Sequence, residues 1–421
     1  MRLSKKIAQI LVNNDPTLLK YLMRDGTMVV RLLRALYGLK SASLEWYNLL
    51  SDTLRKHGFE RSSMDTCLFI KRIGEDVCYV LVYVDDLLVC SSSEKLEKGV
   101  RDMLIQEFRD ITEKDMSSGS LSFLGMQIID EPNGDITVNQ AGYVAEVVKE
   151  CKLNDASDLP TGVDFMLSND EDDAIGDSEQ FRSVLMKIMY LAVSTRVDIL
   201  FPVVVLASRM SKPKVNDMKR LWKIIKYLNT TKELGLRFSG DGEINVECYV
   251  DAAFNCHPDA RGHTGYCIYP DTLCNGARSA PVVARSIKQK SVADSSTEAE
   301  LIALHEAMQH LNWVIDVYED MGYNLAPVTV YQDNKAAITL SSSEPVNFRG
   351  RSKYINRKYF SVHEHVASGR IQLVYCGTDD MVADFLTKSL MGAKFRKFRI
   401  ALMGFADYSY SSKVLSTDID R

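Results

Sequence analysis

The sequence predicts an α/β fold, and three observations carry the prediction. Residues 243–390 alternate short apolar strands with helix-period segments. Val80–Val89 is apolar and largely β-branched around a central Asp85-Asp86 pair, which reads as a buried hairpin rather than a helix. Helical spacing recurs over Ala42–His57, Lys95–Phe108 and Gln140–Cys151. The 421 residues suffice for two or three domains, and 46% apolar with 25% charged residues is ordinary globular composition.

Composition also excludes some classes of function. A net charge of −5 does not mark a nucleic-acid binder, so such a surface would have to be a local basic patch. No apolar run reaches the roughly 18 residues of a membrane span, and the N-terminus lacks a signal-peptide pattern. Nine cysteines without a Cys-x-x-Cys pair read as reduced thiols in an intracellular protein. Cys248, Cys256, His257, His263, Cys267 and Cys274 cluster loosely, but their spacing fits no standard zinc site.

In chain order, a helical Ile7–Leu11 segment comes first, then turns at Asn13-Asn14-Asp15-Pro16 and Asp25-Gly26, then a short strand at Met28–Leu32. The helix from Ala42 stops near Gly58. Burying two adjacent carboxylates with no basic residue beside them costs several kcal/mol unless a cation neutralises them, and Mg²⁺ or Mn²⁺ suits such oxygen ligands. A polar tight turn joining two apolar strands is the alternative for Asp85 and Asp86. Residues 154–180 hold nine acidic residues and no Lys or Arg, interrupted by Pro160, Gly162 and Gly176, and read as a solvated linker. A helical region follows to Leu228, where Arg220, Lys223 and Lys226 recur at helical spacing, either facing phosphates or simply solvated. The tail after Phe405 is polar and reads as disordered.

A second set of carboxylates lies in the C-terminal half. Ile244, Val246, Cys248 and Val250 alternate on one face of a strand, which turns Tyr249 and Asp251 to the other. Further strands surround Tyr266–Ile268 and Val282–Arg285. Ser295 followed by Glu298 is a capping-box pattern opening a helix to about Asp320. With Leu301, Leu304, Met308, Leu311, Ile315 and Tyr318 as the buried stripe, Glu300 lies about 50° from its centre and Glu298 about 110° away. Glu300 is thus aimed at the sheet. Val328 and Val330 lead a strand into Gln332-Asp333-Asn334, and Ile371–Tyr375 leads into Asp379–Asp384. Arg349, Arg351, Lys353, Arg357 and Lys358 form the densest basic stretch, interleaved with Phe348, Tyr354, Tyr359 and Phe360. Such a stretch suits phosphate contact, with a solvated loop as the alternative.

Tyr83-Val84-Asp85-Asp86 resembles the active-site hairpin of reverse transcriptases of copia-type LTR retrotransposons. Leu36-Tyr37-Gly38-Leu39-Lys40, Phe123-Leu124-Gly125-Met126, Met189-Tyr190-Leu191 and Ser194-Thr195-Arg196-Val197-Asp198 extend the resemblance. Ser295-Ser296-Thr297-Glu298-Ala299-Glu300 and Ala383-Asp384-Phe385-Leu386-Thr387-Lys388 resemble that family's RNase H domain. The resemblance runs to about Phe405 but covers only the C-terminal part of the polymerase, since no third palm aspartate or fingers region precedes Tyr37. It implies an α+β palm remnant over residues 1–153, an acidic linker over 154–180, a helical connection over 181–239, and a ribonuclease H-like domain with a five-stranded mixed sheet over 240–405.

By the same resemblance, Asp251, Glu300, Asp333 and Asp384 hold two Mg²⁺ or Mn²⁺ ions for hydrolysis of the RNA strand of an RNA–DNA hybrid. Asp85 and Asp86 are the polymerase's metal ligands. Retrotransposon RNA and cDNA are the implied partners, with a separate chain supplying the missing palm and fingers, in the cytoplasm, a virus-like particle or the nucleus. Two departures stand out. Ser41, Ser43 and Glu45 occupy positions where the family usually has Gln, Pro and Arg, the Gln belonging to its nucleotide pocket. Tyr354 and Asn356 stand where it commonly has His and Asp. A metal-dependent nuclease attached to an incomplete polymerase is one expectation; a non-catalytic nucleic-acid-binding remnant is the other.

Overall fold

The computed structural model describes residues 1–33, 36, 38–108, 111–153, 155–162, 165–166, 174–175, 178–240, 243–271, 278–343 and 353–405, without the side chains of 351–359. Contacts divide the chain into two units, Met1–Ile111 and Thr112–Arg421.

In the first unit, β1 (Arg2–Leu3) pairs with β2 (Met28–Val29) beside α1 (Lys5–Asn14). Helix α2 (Ala42–Lys56) precedes an antiparallel sheet of β3 (Glu60–Arg61), β4 (Leu68–Ile73), β5 (Asp76–Tyr83) and β6 (Asp86–Ser91), and α3 (Glu94–Phe108) follows. Cys78, Val80 and Val82 bury alternate positions of β5 against Leu50 and Leu54 of α2 and Leu96, Val100 and Leu104 of α3. The period-2 and period-3.6 patterns of the sequence are thereby satisfied together.

In the second unit, β7 (Ser120–Phe123), β8 (Met126–Asp130) and β9 (Ile136–Asn139) form a meander ahead of α4 (Ala141–Cys151). Three helices follow: α5 (Ser178–Ser194), α6 (Leu200–Ser208) and α7 (Val215–Thr230). Strand β10 (Leu236–Phe238) then closes the meander against β9. The larger sheet has the order β13-β12-β11-β14-β15, from β11 (Ile244–Ala253), β12 (His263–Asp271), β13 (Val283–Lys288), β14 (Val328–Gln332) and β15 (Ile371–Tyr375). β11 is antiparallel to β12 and parallel to β14, so the sheet is mixed, as the sequence predicts. Helix α8 (Ser296–Asp320) covers one face, packing Leu301, Leu304, Met308 and Ile315 on Val246, Cys248 and Val250. α9 (Lys335–Ser342), α10 (Lys353–Ala367), a short 3₁₀ turn at Val382–Leu386 and α11 (Gly392–Met403) complete the unit.

The other face of the sheet is covered by the helices between the two sheets. Phe181, Phe201, Leu206 and Leu221 share one core with Cys267, Tyr269, Leu386 and Phe395. Packing is therefore continuous from α5–α7 to the sheet, because the apolar face at Cys267 and Tyr269 is covered by those helices. Inside the acidic stretch, Thr161 and Phe165 are buried, and Arg209 donates to the Met166 carbonyl at 3.1 Å. Those two side chains bind the stretch to the core despite its solvated composition. The remainder of 154–180, and the tail beyond Phe405, lie partly or wholly outside the described residues.

A fully buried ion pair anchors this core. Arg196 donates from Nε and Nη2 to both oxygens of Asp198, at 2.9 and 2.8 Å, and from Nη1 to the Thr231 carbonyl at 2.9 Å. The Tyr227 hydroxyl donates to Asp198 at 2.6 Å, and Arg399 of α11 donates to the Tyr227 oxygen at 3.3 Å. Burial would push the Asp198 carboxyl up, but the adjoining Arg196 guanidinium holds it below the usual range. Arg220 and Lys226 of α7 pair with Asp217 and Asp155, so these two cations are engaged in carboxylate contacts. Among the described residues, no helix is long and apolar enough to cross a membrane.

Asp198→Ala leaves the Arg196 guanidinium buried with its carboxylate removed. It should cost the full chain about 3–5 kcal/mol in urea unfolding, the range for breaking a buried pair from one side. A loss below about 1 kcal/mol would contradict this placement of the network.

Candidate active site

Four carboxylates converge at one end of the mixed sheet. Asp251 lies near the end of β11, opposite Gly265 of β12. Asp333 follows β14 directly, beside Asn334, which caps α9 by accepting from the Ala337 N–H at 3.0 Å. Asp384 sits in the Val382–Leu386 turn, and Glu300 in the second turn of α8. Asp251, Asp333 and Asp384 each offer an oxygen within 4.8 Å of the other two. Asp251, Asp384 and Glu300 are buried, and Asp333 is half-buried.

The electrostatics follow from that burial. Burial pushes Asp251 up to about 6, reinforced by the negative charge of Asp384 and opposed by Lys388. Glu300 is held well above the usual carboxylate range, first by burial and then by the charges of Asp251 and Asp333. Burial also raises Asp333, with Asp384 adding to the shift and Lys388 opposing it. Hard oxygen donors at this spacing, with Asp251, Glu300 and Asp333 destabilised as anions, suit a divalent cation.

Side chains outside the quartet hold it in place. Thr387 Oγ1 donates to Asp251, and Thr378 Oγ1 to Asp333 at 3.4 Å. Gln332, fully buried, donates to Glu300 Oε2 at 3.1 Å and accepts from the Asn334 N–H at 3.0 Å. Lys388 Nζ bonds Asp384 and lies 3.4 Å from Asp251 Oδ2, while Lys394 Nζ bonds the other Asp384 oxygen at 2.8 Å. Periodicity and composition do not mark Gln332, Thr378, Thr387, Lys388 or Lys394 as site residues. The legible signal was Thr387-Lys388, three and four residues after Asp384 and hence one turn away.

The two glutamates lie on the faces of α8 that their helical angles predict, Glu300 buried and Glu298 at the helix start. Ser295 Oγ accepts from the Glu298 N–H at 3.2 Å, but the Glu298 carboxylate reaches back to the Asp294 N–H at 2.7 Å rather than to Ser295. Glu298 remains at the helix entrance, away from the carboxylate cluster.

The histidines form a separate chain. His257 Nε2 and His263 Nδ1 lie 2.9 Å apart, His263 Nε2 is 2.7 Å from Ser286 Oγ, and Ser286 donates to the Leu386 carbonyl at 2.7 Å. Since Ser286 gives its proton to Leu386, it accepts from His263, which then accepts from His257. Burial raises the Cys267 thiol to about 12 and the Cys256 thiol to about 11, leaving no ready thiolate beside them. His363 contacts the Ser341 carbonyl and His365 contacts Asn312, so both serve helix packing. Arg349 and Arg351 of the basic stretch lie outside the described residues. Lys353, Arg357 and Lys358 belong to α10, but their side chains lie outside the description.

In the first unit, Tyr83 pairs with Asp86 across a tight turn at Val84 and Asp85. Val84 has a φ of 55°, and its carbonyl accepts from Trp46 Nε1 at 2.7 Å. Tyr83, Val84, Asp85 and Asp86 are all exposed. This corrects the expectation of buried aspartates: the strands are buried on one face, while the tip projects into solvent. Among the described residues no third acidic side chain joins the pair. Asp15 and Asp25 accept from the N–H groups of Thr17 and Thr27, as turn residues do.

A mixed five-stranded sheet carrying such a carboxylate cluster at one end, preceded in the chain by an antiparallel Tyr-x-Asp-Asp hairpin, defines the class as an α/β protein with an RNase H-like fold. Residues 15–163 match the family described as reverse transcriptase (RNA-dependent DNA polymerase), and the homologues of the chain are copia-type Pol polyproteins of retrotransposons. The retrovirus-related Pol polyprotein from transposon RE2 of Arabidopsis thaliana is 30% identical over 374 residues, which are 88% of this chain and 25% of that protein. The chain thus spans about a quarter of the length of that relative. Among solved structures it is similar to a foamy viral protease–reverse transcriptase in complex with dsDNA, at 15% identity and a TM-score of 0.45, covering 85% of this chain and 62% of the other. It is also similar to LC11-RNase H1, isolated from compost, at 16% identity and a TM-score of 0.26, covering 34% and 94%.

Burial, with the Lys288 charge second, lowers His257 to about 4; burial and then the His257 charge lower His263 to about 3. The unfolded chain therefore binds more protons than the folded one between the ordinary value of 6.5 and those values. Their contribution to stability is complete above pH 6.5 and is lost as pH falls through about 4. Asp251, raised to about 6, acts in the opposite sense, so a comparison isolates the histidines. Chemical denaturation of the full chain should show a smaller loss between pH 6.5 and 4 for His257→Gln than for the parent. An equal loss in both would contradict the neutral pair.

Proposed function

We propose that the Thr112–Arg421 unit hydrolyses the RNA strand of RNA–DNA hybrids with Mg²⁺ or Mn²⁺, and that the polymerase half of this chain is inactive alone. The observation that carries the first part is the convergence of Asp251, Asp333 and Asp384 within 4.8 Å, with Glu300 close enough for the charges of Asp251 and Asp333 to raise its carboxyl. Three ligands come from β11, the end of β14 and the Val382–Leu386 turn; Glu300 from α8 completes the set. When bound, the divalent cations supply an acidified water and positive charge at the departing 3′ oxygen.

The chain's own groups do the positioning. Thr387 fixes the Asp251 carboxylate, Gln332 fixes Glu300, and Thr378 reaches Asp333. Their hydrogen bonds limit the rotation of ligands that would otherwise pay for ordering at each turnover. The hybrid would be recognised by 2′-hydroxyl contacts on the RNA strand and phosphate contacts on the DNA. Arg349, Arg351, Lys353, Arg357 and Lys358 are the proposed phosphate contacts, with retrotransposon RNA and cDNA as the nucleic acids. The polymerase half has Asp85 and Asp86 at an exposed tip, with no third carboxylate joining them among the described residues, whereas two-metal chemistry calls for ligands from more than one hairpin.

The full chain should cleave the RNA strand of a hybrid in Mg²⁺ or Mn²⁺ and much more slowly in Ca²⁺, whose looser coordination does not enforce octahedral geometry. Asp251→Asn and Glu300→Gln should abolish cleavage with folding intact. Glu298→Gln should retain cleavage and cost ~1 kcal/mol or less, as a weakened helix cap. A gel assay that finds Glu298→Gln inactive and Glu300→Gln active would reverse the assignment.

The chain should also fail to extend a primer in Mg²⁺ or Mn²⁺. Nucleotide incorporation lost in Asp85→Asn would overturn that half of the reading. Activity gained only on adding a second chain bearing the upstream palm and fingers would agree with it.

A further inference from the structure

Resting on the metal-site reading above, we infer that Lys388 is a displaceable counter-cation, which neutralises the carboxylate cluster and must be expelled for divalent cations to enter. Lys388 follows Asp384 by one turn, its N–H bonded to the Asp384 carbonyl at 3.0 Å. That turn returns its ammonium to the cluster, where it bonds Asp384 Oδ1 and lies 3.4 and 3.5 Å from the two oxygens of Asp251. Asp251 and Asp384 are two of the three residues whose oxygens lie within 4.8 Å of one another. A cation on those oxygens would use the same lone pairs as the ammonium, at shorter distance and with twice the charge. The two positive groups cannot share them.

Lys394 is placed differently. Its ammonium takes the other oxygen of Asp384 at 2.8 Å and also donates to the Thr378 carbonyl at 3.2 Å. The carbonyl holds Lys394 whether or not Asp384 is engaged, so it can stay while a cation binds from the opposite side. Among the described residues the Lys388 ammonium pairs with only the two carboxylates, and its side chain is 39% exposed. Four rotatable bonds give it a path to water. Lys388 also lines a small cavity together with Phe201, Phe385 and Phe395.

Such a residue sets the affinity of the site. With Lys388 in place, four carboxylates face two ammonium groups, and the folded protein tolerates buried acids without metal. Divalent binding must then overcome one ammonium–carboxylate pair. The cluster would load only above a threshold of free cation and would not collapse below it.

The test is Mn²⁺ titration of the full chain, followed by the electron paramagnetic resonance of free Mn²⁺, with unfolding temperature recorded in chelator and in saturating Mn²⁺. Lys388→Met and Lys388→Gln should each bind Mn²⁺ at least roughly tenfold more tightly, since removing one charge a few ångströms away exceeds that factor even when largely screened. Both should melt lower than the parent in chelator and recover the difference in Mn²⁺. Lys388→Arg should bind within about twofold of the parent, because it keeps the charge. Lys397→Met removes a nearby cation that pairs with Asp380 outside the cluster, and should also change affinity by less than about twofold. Unchanged or weaker Mn²⁺ binding in folded Lys388→Met or Lys388→Gln would overturn the inference while leaving the metal site standing. So would an equal gain in Lys397→Met. Failure of the parent and every variant to bind Mn²⁺ would defeat the metal site itself, and the inference with it.

Discussion

Asp384 meets Asp251 because the Val382–Leu386 turn lies directly on β12, and that contact needs a residue without a side chain. A Cβ at Gly265 would meet Thr387 Cγ2 at 2.6 Å, Leu386 Cβ at 2.9 Å and the Ala383 carbonyl at 3.0 Å. Gly265 is also the partner of Asp251 across the ladder. One missing side chain therefore sets the separation of two carboxylates that are far apart in the chain. Ser286 fixes the same turn from β13 through the Leu386 carbonyl, with the histidine pair behind it. Phe385 and Leu386 sink into the core shared with α5–α7, so the turn is clamped from the sheet and from the helices at once.

The unit buries charge in two places and resolves it in two ways. At Arg196 and Asp198 the opposite charges sit side by side with further hydrogen bonds, and the pair is complete within the protein. At the sheet end, four acids of one sign meet two lysines, and the shortfall appears as upward shifts of Asp251, Glu300 and Asp333. The first arrangement is structural; nothing more is required of it. The second is an incomplete neutralisation, and incomplete neutralisation in a defined donor geometry is what distinguishes a binding site from a core ion pair.

Much of this was legible in the sequence because it is periodic. The alternation over Ile244–Val250 and the 3.6-residue stripe of α8 were enough to aim Asp251 and Glu300, and the five-stranded mixed sheet followed from the resemblance. What was illegible depends on long-range packing. Residues 154–180 read as solvent-borne by composition, yet Phe165 and Thr161 are buried, since two side chains can tie down a stretch whose average is polar. The core joining α5–α7 to the sheet was equally hidden, because an apolar face does not name the surface that will cover it. Gln332 escaped notice as an ordinary polar residue before an aspartate. Its meaning lies in the hydrogen bond to Glu300 on a different element.

The Asp85-Asp86 tip shows the limit of reasoning from local hydrophobicity. Its flanking strands are apolar because Cys78, Val80 and Val82 serve a core, while the tip itself serves none. Two exposed carboxylates are solvated by water and require no cation for the hairpin to fold. Burial makes the other cluster costly as a set, so its charge is coupled to the stability of the fold around it. Losing one of its acids changes what the remaining three must tolerate, and the lysines as well. The same substitution at the hairpin tip would leave that core untouched. Preserved carboxylates therefore say more about metal chemistry where they are buried together than where they stand in solvent.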